Sequence, residues 1–252
     1  MSILFFLANK TLRFYNLIDN VTVTFMTERI YKMITIKDIS KKYGKHVILQ
    51  NISFDINPRD CVGIVGANGS GKTTLLSIIC GVIKADSGKV LKDEQPFKLN
   101  KDTGYVPQEN PLIPELTAFD NLRLWFHGSK DELKKEIESG MISFLGINDF
   151  INKPISKLSG GMKKRLSIAI ALIDKPTLLV MDEPSAALDI PGKHQIKQYM
   201  DYYTKQLKGS ILIASHDENE LRVCNKLLLL KNHQLTPLDT DIKLMESLIE
   251  NE

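Results

Sequence analysis

The chain is 252 residues long, 43% hydrophobic and 25% charged, with a formal net charge of +3. That is enough chain for one large domain or two small ones with a sizeable core, and the composition is that of an ordinary globular protein. So small a net charge gives no electrostatic case for nucleic acid, and no apolar stretch approaches the length of a membrane span.

Residues Met1 to Lys32 mix Phe, Leu, Asn and Thr without a sustained helical or strand period. The run Ile3 to Ala8 is apolar but short, and no basic residue precedes it, so a secretory signal is not expected. Pattern begins abruptly at Met33, where Met33 to Ile39 alternates like an edge strand. We expect the folded domain to start there, with 1–32 as an N-terminal extension. From Ile34 to Asp60 the sequence reads as short strands, with turns at Lys42-Tyr43-Gly44-Lys45 and Asn57-Pro58. A tyrosine beside a glycine at a loop tip can stack on a nucleobase. On position alone, an ordinary strand-end aromatic is the better reading of Tyr43.

The next stretch organises the rest. Gly66-Ala67-Asn68-Gly69-Ser70-Gly71-Lys72-Thr73 follows the apolar run Cys61 to Val65 and opens the apolar run Leu75 to Cys80. Strand, glycine-rich loop, then helix is the context a phosphate-binding loop requires. Glycines let backbone N–H groups turn around an anion with no Cβ in the way, and the positive end of the helix adds to the field. Lys72 supplies a flexible point charge for the outer phosphates, and the Thr73 hydroxyl can ligate Mg²⁺. A glycine-rich turn that merely fits the pattern would not come with both flanks. The stretch implies a bound nucleoside triphosphate.

Lys84 to Lys101 carries the turn Asp86-Ser87-Gly88 and reads as a short antiparallel hairpin. Gly104 to Pro107 reads as a strand, with Gln108 directly after it. From Glu109 to Lys157 the pattern becomes helical. Thr117 is a plausible N-cap, and Lys130 to Leu145 continues the helix with Leu133, Ile137, Met141 and Leu145 on one face. In Leu158-Ser159-Gly160-Gly161-Met162, Ser159 can cap a helix running to about Ile173, and two glycines at its start leave N–H groups open to a second anion. Taken alone, that is also a plain N-cap. Lys163-Lys164-Arg165 is the densest basic run and reads as a solvated helix face.

Thr177 to Met181 looks like a buried parallel strand and ends in Asp182-Glu183-Pro184. Carboxylates at that end of an open α/β sheet face the ligand crevice. Neighbours on a strand point opposite ways, so Asp182 can hold a metal shell while Glu183 faces an attacking water. Gly209 to Ala214 is a further buried strand ending in Ser215-His216-Asp217, and His216 alone of the five histidines sits at such an end. Leu227 to Leu235 reads as a closing hairpin around Lys231-Asn232-His233-Gln234, and a short helical tail follows. Cys61, Cys80 and Cys224 are far apart in sequence, in apolar surroundings, and read as buried small hydrophobes with no disulfide framework and no metal spacing.

These spaced elements together resemble the nucleotide-binding subunit of an ATP-binding-cassette (ABC) transporter, over about Ile34 to Leu235. The discriminating motif is Leu158 to Met162, similar to the family signature and lying upstream of Leu178 to Glu183. The resemblance implies an α/β P-loop NTPase fold over 33–252, with a mixed, mainly parallel sheet, an N-terminal antiparallel β subdomain and a helical subdomain inserted at about 109–157. It implies that Tyr43 stacks on adenine, which reverses the reading from position. Gly66 to Thr73 with Thr74 would be the Walker A cradle for ATP. Gln108 would contact metal and water, Asp182 would hold Mg²⁺ with Thr73, and Glu183 would be the general base. Ser185 to Asp189 would cross a dimer interface, and His216 would contact the γ-phosphate. Lys72, Glu183 and His216 are the expected catalytic groups. Where the family's signature ends in Gln, this chain has Met162, which cannot donate a side-chain hydrogen bond. Backbone N–H groups and Ser159 should still cap the phosphate.

The resemblance further implies a head-to-tail homodimer or heterodimer. ATP on the Walker loop of one copy is covered by Ser159, Gly160 and Gly161 of the other. The helical insert would dock on a separate transmembrane permease subunit, at the cytoplasmic face of the cell membrane, with membrane contact through that partner only. The expected work is ATP hydrolysis driving transport of an unidentified substrate, outward, since little chain follows Leu235 for a regulatory domain. The alternative is a soluble ABC-type ATPase acting on nucleic acid or ribosomes. Such chains carry long coiled coils or two cassettes, and this one shows a single cassette without sustained heptads.

Overall fold

A computed structural model describes residues 33–96, 103–186 and 188–238. The expected extension 1–32 lies outside the described residues, as does the expected tail past Leu238. The first residues of that tail, 236–238, continue the closing hairpin as strand. Strands β1 (Ile34–Tyr43) and β2 (His46–Ile56) pair antiparallel, and β4 (Ser87–Lys92) pairs antiparallel on the other side of β1. With β5 (Gln95–Pro96) they form a four-stranded sheet of order β2-β1-β4-β5. β1 and β2 run 10 and 11 residues, longer than the short strands expected. Register shifts after Ile36, Ile39 and Lys41 let so long a pair bend without turning its buried residues outward.

The second sheet has six strands in the order β10-β9-β3-β8-β7-β6. These are β3 (Cys61–Val65), β6 (Thr103–Val106), β7 (Leu178–Asp182), β8 (Ser210–Ala214), β9 (Lys226–Lys231) and β10 (Gln234–Leu238). All pairs are parallel except the closing hairpin β9-β10. β3, β7 and β8 are buried at every position, which is why they read as unbroken apolar runs.

Their side chains alternate between two cores. Val62, Ile64, Val180, Leu212 and Ala214 face helix α1 (Lys72–Ile79) and the small sheet, where Ile36, Ile52, Leu75 and Ile79 complete one cluster. Cys61, Val65, Leu179, Met181, Ile211 and Ile213 face the opposite core. That core is filled by the helical insert, by α4 (Gly160–Leu172) and by α5 (Ile190–Lys205). Helix α1 is therefore held between two sheets, and its start is fixed from both sides.

In the insert, α2 (Ala118–Trp125) starts at Thr117, whose hydroxyl accepts from the Asp120 N–H at 3.1 Å. α3 (Lys130–Glu138) opens with a Ser129/Glu132 capping box. It stops seven residues short of Leu145, the expected end. The N–H groups of Ser139 and Gly140 fold back on the Lys135 carbonyl, and Gly146 at φ 60° turns the chain into 3₁₀ turns at Ser143–Leu145 and Ile147–Phe150. Leu133, Ile137 and Leu145 are buried as the pattern required, and Met141 packs against them. Leu124 and Trp125, at the end of α2, are more than half exposed, at 59% and 55%. A short helix α6 (Glu218–Leu221) precedes β9. Among the described residues no helix is long and apolar enough to cross a membrane.

The three cysteines are free and buried. Cys61 and Cys224 are nonetheless neighbours in space, Sγ to Sγ 3.3 Å, because Val62 pairs with Lys226 in the parallel β3-β9 register.

Candidate active site

The loop Gly66 to Lys72 joins β3 to α1, as its spacing predicted. Gly71 is the N-cap of α1 at φ 109°, a left-handed conformation that favours glycine. A Cβ there would lie 2.9 Å from Ile48 Cγ2, and a Cβ on Gly66 would lie 2.5 Å from the Leu230 carbonyl oxygen. Both glycines are demanded by packing from β2 and β9. Lys72 is 6% exposed, and its Nζ donates to the Gly66 carbonyl at 2.5 Å and the Ala67 carbonyl at 3.0 Å. Burial pushes its pKa down, opposed by the carboxylates of Glu183 and Asp182. Ser70 Oγ is buried without a partner, and no acidic residue neutralises the first turn of α1. Ala67, Asn68, Gly69 and Thr73 are exposed at the rim, and Thr74 is half-buried.

Three further residues converge because β6, β7 and β8 are adjacent and parallel. Val106 pairs with Met181, and Asp182 with Ala214, so the segments leaving these strands emerge side by side. Gln108 Nε2 donates to Glu183 Oε2 at 3.2 Å, and His216 Nε2 lies 3.3 Å from Glu183 Oε1. Burial lowers the pKa of His216, and the Lys72 ammonium lowers it further, against Glu183. A lowered pKa favours the neutral imidazole at about pH 7, with Nε2 facing the carboxylate.

Asp182 is the last residue of β7 and 1% exposed. Its carboxyl pKa is raised by burial, opposed by a hydrogen bond from Thr73. Its Oδ2 has no partner. Glu183 diverges from Asp182 by a backbone turn more than by strand alternation. Its φ is 45°, and its N–H still donates to the Ala214 carbonyl at 2.8 Å. That turn swings the carboxylate out to Gln108 and His216.

The second anion-ready start lies elsewhere. Ser159 caps α4, its hydroxyl accepting from the Met162 N–H at 3.3 Å, and Ser159 and Gly160 are exposed. A Cβ on Gly161 would meet only Leu188 Cδ2, at 3.9 Å. α4 packs on β6, the edge strand three places from β3. At about 4.8 Å per strand this separates it from the chain's own phosphate loop by roughly 14 Å across the sheet. Tyr43 ends β1 half-exposed at 50%, with Lys41 Nζ 5.3 Å from its ring centroid. Ile48 of the same hairpin touches Gly71, which sets Tyr43's hairpin beside the loop. Asp189 accepts from the Gly192 N–H at 2.9 Å and caps α5. Ala187 lies outside the described residues.

The basic run is a correction. Lys164 is 3% exposed and donates to the Pro107 and Gln108 carbonyls at 3.2 and 3.0 Å. Arg165 is half-buried, donates to the Leu145 carbonyl at 3.1 Å and sits 5.1 Å over the Phe150 ring. The available signal was the helical period, which places Lys164 in line with Ile168 and Leu172, both fully buried.

A family model described as ABC transporter matches residues 49–186. Nod factor export ATP-binding protein I of Rhizobium etli is 35% identical over 205 residues, which are 79% of this chain and 65% of that protein. Linearmycin resistance ATP-binding protein LnrL of Bacillus subtilis is 31% identical over 227 residues, 86% of this chain and 72% of that protein. The chain thus spans just under two thirds of the first relative's length and rather more of the second. Among solved structures, the dimeric post-hydrolysis state of the ATP-binding cassette MJ0796, bound to ADP and Pi, has a TM-score of 0.70. It is 29% identical and covers 82% of this chain and 99% of its own.

Proposed function

The chain belongs to the ABC transporter family, and from that premise we propose that it is the ATP-hydrolysing subunit of a transporter whose membrane-spanning part is a separate polypeptide. The observation that carries the proposal is the convergence of Gln108, Glu183 and His216 beside the buried pair Lys72 and Asp182. This is a water-directing group placed next to a phosphate cradle.

The donors suit Mg²⁺. A buried carboxylate oxygen without a partner and an adjacent threonine hydroxyl are hard oxygen ligands, and no cluster of three His, Cys, Asp or Glu side chains competes for a metal among the described residues. Asp182 and Thr73 would hold it, and it would supply neutralisation of phosphate charge. Lys72 exchanges its own loop's carbonyls for phosphate oxygens, so the cradle closes without building new structure. Ser70 Oγ gains the partner it lacks. Once the Gln108–Glu183 hydrogen bond opens, the two side chains hold the attacking water. Glu183 takes its proton as the water oxygen bonds to the γ-phosphorus and the bond to the β-phosphate oxygen breaks, releasing ADP and phosphate. Neutral His216 meanwhile donates from Nε2 toward the γ-phosphate.

Gly160 and Gly161, open at the start of α4, are half of a site completed by a second copy or a paralogue, as the dimeric MJ0796 cassette supports. The export named for the Rhizobium relative favours outward transport. The exposed pair Leu124 and Trp125 gives the helical insert an apolar surface for a permease, at the cytoplasmic face of the membrane.

Glu183→Gln should reduce turnover at least about a hundredfold, while ATP binding and ATP-dependent dimerisation persist. Steady-state hydrolysis and size-exclusion chromatography with ATP measure both. A variant that hydrolyses at the wild-type rate removes Glu183 from the role of base.

A further inference from the structure

Lys164 lies five residues past Ser159 on α4, buried, with its Nζ on the carbonyls of Pro107 and Gln108. Both carbonyls belong to the segment that leaves β6 and delivers the Gln108 amide to Glu183. A helix position that needs only packing takes an apolar residue. An ammonium in its place must have its donors engaged, because an unpaired buried charge is strongly disfavoured. Burial pushes the pKa of this ammonium down, and the carboxylates of Asp182 and Glu220 act against that shift. Its neighbour on the chain does a different task, since Arg165 turns to Leu145 and Phe150 within the insert.

We propose that Lys164 is a positioning residue, tying the start of α4, where a second copy's nucleotide binds, to the backbone that aims Gln108 at Glu183 in its own site. The proposal rests on the head-to-tail reading above. The link is short and stiff. Five residues at about 1.5 Å each place the tie within roughly 8 Å of Ser159 along the helix axis. Any displacement of α4 when it closes on the partner's nucleotide carries the Pro107 and Gln108 carbonyls with it. The Gln108 amide then moves relative to the Glu183 carboxylate, so occupancy of one site sets the water geometry of the other.

The test is a double-mutant cycle on the full chain, reading steady-state ATP hydrolysis for Lys164→Met, Gln108→Ala and the pair. Lys164→Met should lower kcat about tenfold, leave KM for ATP within about twofold, and bring the Hill coefficient down toward 1. In the Gln108→Ala background the same change should alter kcat by less than about twofold, because the tie acts only through Gln108. Lys164→Arg, which keeps donors and charge, should restore more than about half of kcat. Equal losses in both backgrounds, or a wild-type kcat and Hill coefficient in Lys164→Met, overturn the proposal. Should the methionine variant fail to fold, Lys164→Gln, which keeps amide donors at shorter reach, enters the same cycle under the same criteria. ATP-dependent dimerisation in the Glu183→Gln background tests the head-to-tail reading separately. If it is absent, that reading falls, whereas the cycle with Gln108 reports on the tie within one chain.

Discussion

Helix α1 begins inside the protein and helix α4 begins at its surface. Both starts are rich in glycine, yet their glycines answer to different neighbours. At the start of α1, a Cβ on Gly66 would run into Leu230 and one on Gly71 into Ile48. Lys72 is already folded onto its own loop. At the start of α4, a Cβ on Gly161 would meet little of its own chain. Gly161 is not required by the chain's own packing, which is what the proposed approach of a second copy's nucleotide would need. The contrast separates glycines fixed by the fold from one that the fold leaves open.

Three substitutions test that contrast. The largest effect on the fold should come from Gly66→Ala. Contact at 2.5 Å with a backbone carbonyl cannot be relieved by a side-chain rotation. We expect a loss of about 2–3 kcal/mol and a melting temperature lower by roughly 5–10 °C, read by a thermal melt without nucleotide. A wild-type melt would show the loop to be less constrained than its packing implies.

Gly161→Ala should do the reverse. Its melting temperature should stay within about 2 °C of the parent, since alanine suits a helix better than glycine. ATP-dependent dimerisation in the Glu183→Gln background should nonetheless weaken at least about tenfold, about 1.4 kcal/mol. A variant that melts and dimerises like the parent would mean that no nucleotide approaches that backbone closely.

The smallest effect is a gain. Asp182→Asn removes a buried carboxylate with an unpartnered oxygen. At pH 7 it should raise the melting temperature of the nucleotide-free protein by about 2–4 °C, for about 1 kcal/mol, and abolish further stabilisation by ATP with Mg²⁺. The sign with pH follows from burial raising the carboxyl pKa in the fold. The folded state binds the proton more tightly than the unfolded chain, so wild-type stability rises as pH falls through the folded value. The advantage of the asparagine should therefore be greatest above the folded value and fade toward the ordinary carboxylate pKa of about 3.9. A melting temperature lowered at pH 7 would show the carboxylate to be satisfied without a metal.

The roles of Gln108 and His216 rested on the family resemblance, but the phosphate loop's context, the strand-end acids and the Ser159 cap were legible in the sequence. Each is a short run whose chemistry and element type are set by neighbours in the chain. The alternation of Val62 and Ile64 against Cys61 and Val65 between two cores follows from period alone. What escaped depends on pairings across the sheet. Cys61 and Cys224 meet only through the β3-β9 register. Lys164 reaches Pro107 and Gln108 only because α4 packs on β6. The early end of α3 was visible in Ser139-Gly140 but lost to the apolar spacing beyond it, which 3₁₀ turns satisfy as well as a helix does. The turn at Glu183 had no local signal, since a left-handed glutamate is unusual and is held by its neighbours.

Trp125 is the one tryptophan in the chain, and it stands at the exposed end of α2 beside Leu124. Its indole is therefore an optical label already in place. Emission excited at the red edge of protein absorbance comes from this single ring, with no second indole to subtract. The wavelength of that light is set by how much water surrounds one helix end of the insert. Covering that end shifts the spectrum to the blue. The protein carries its own reporter of whether that helix end is covered, without a dye or an added residue.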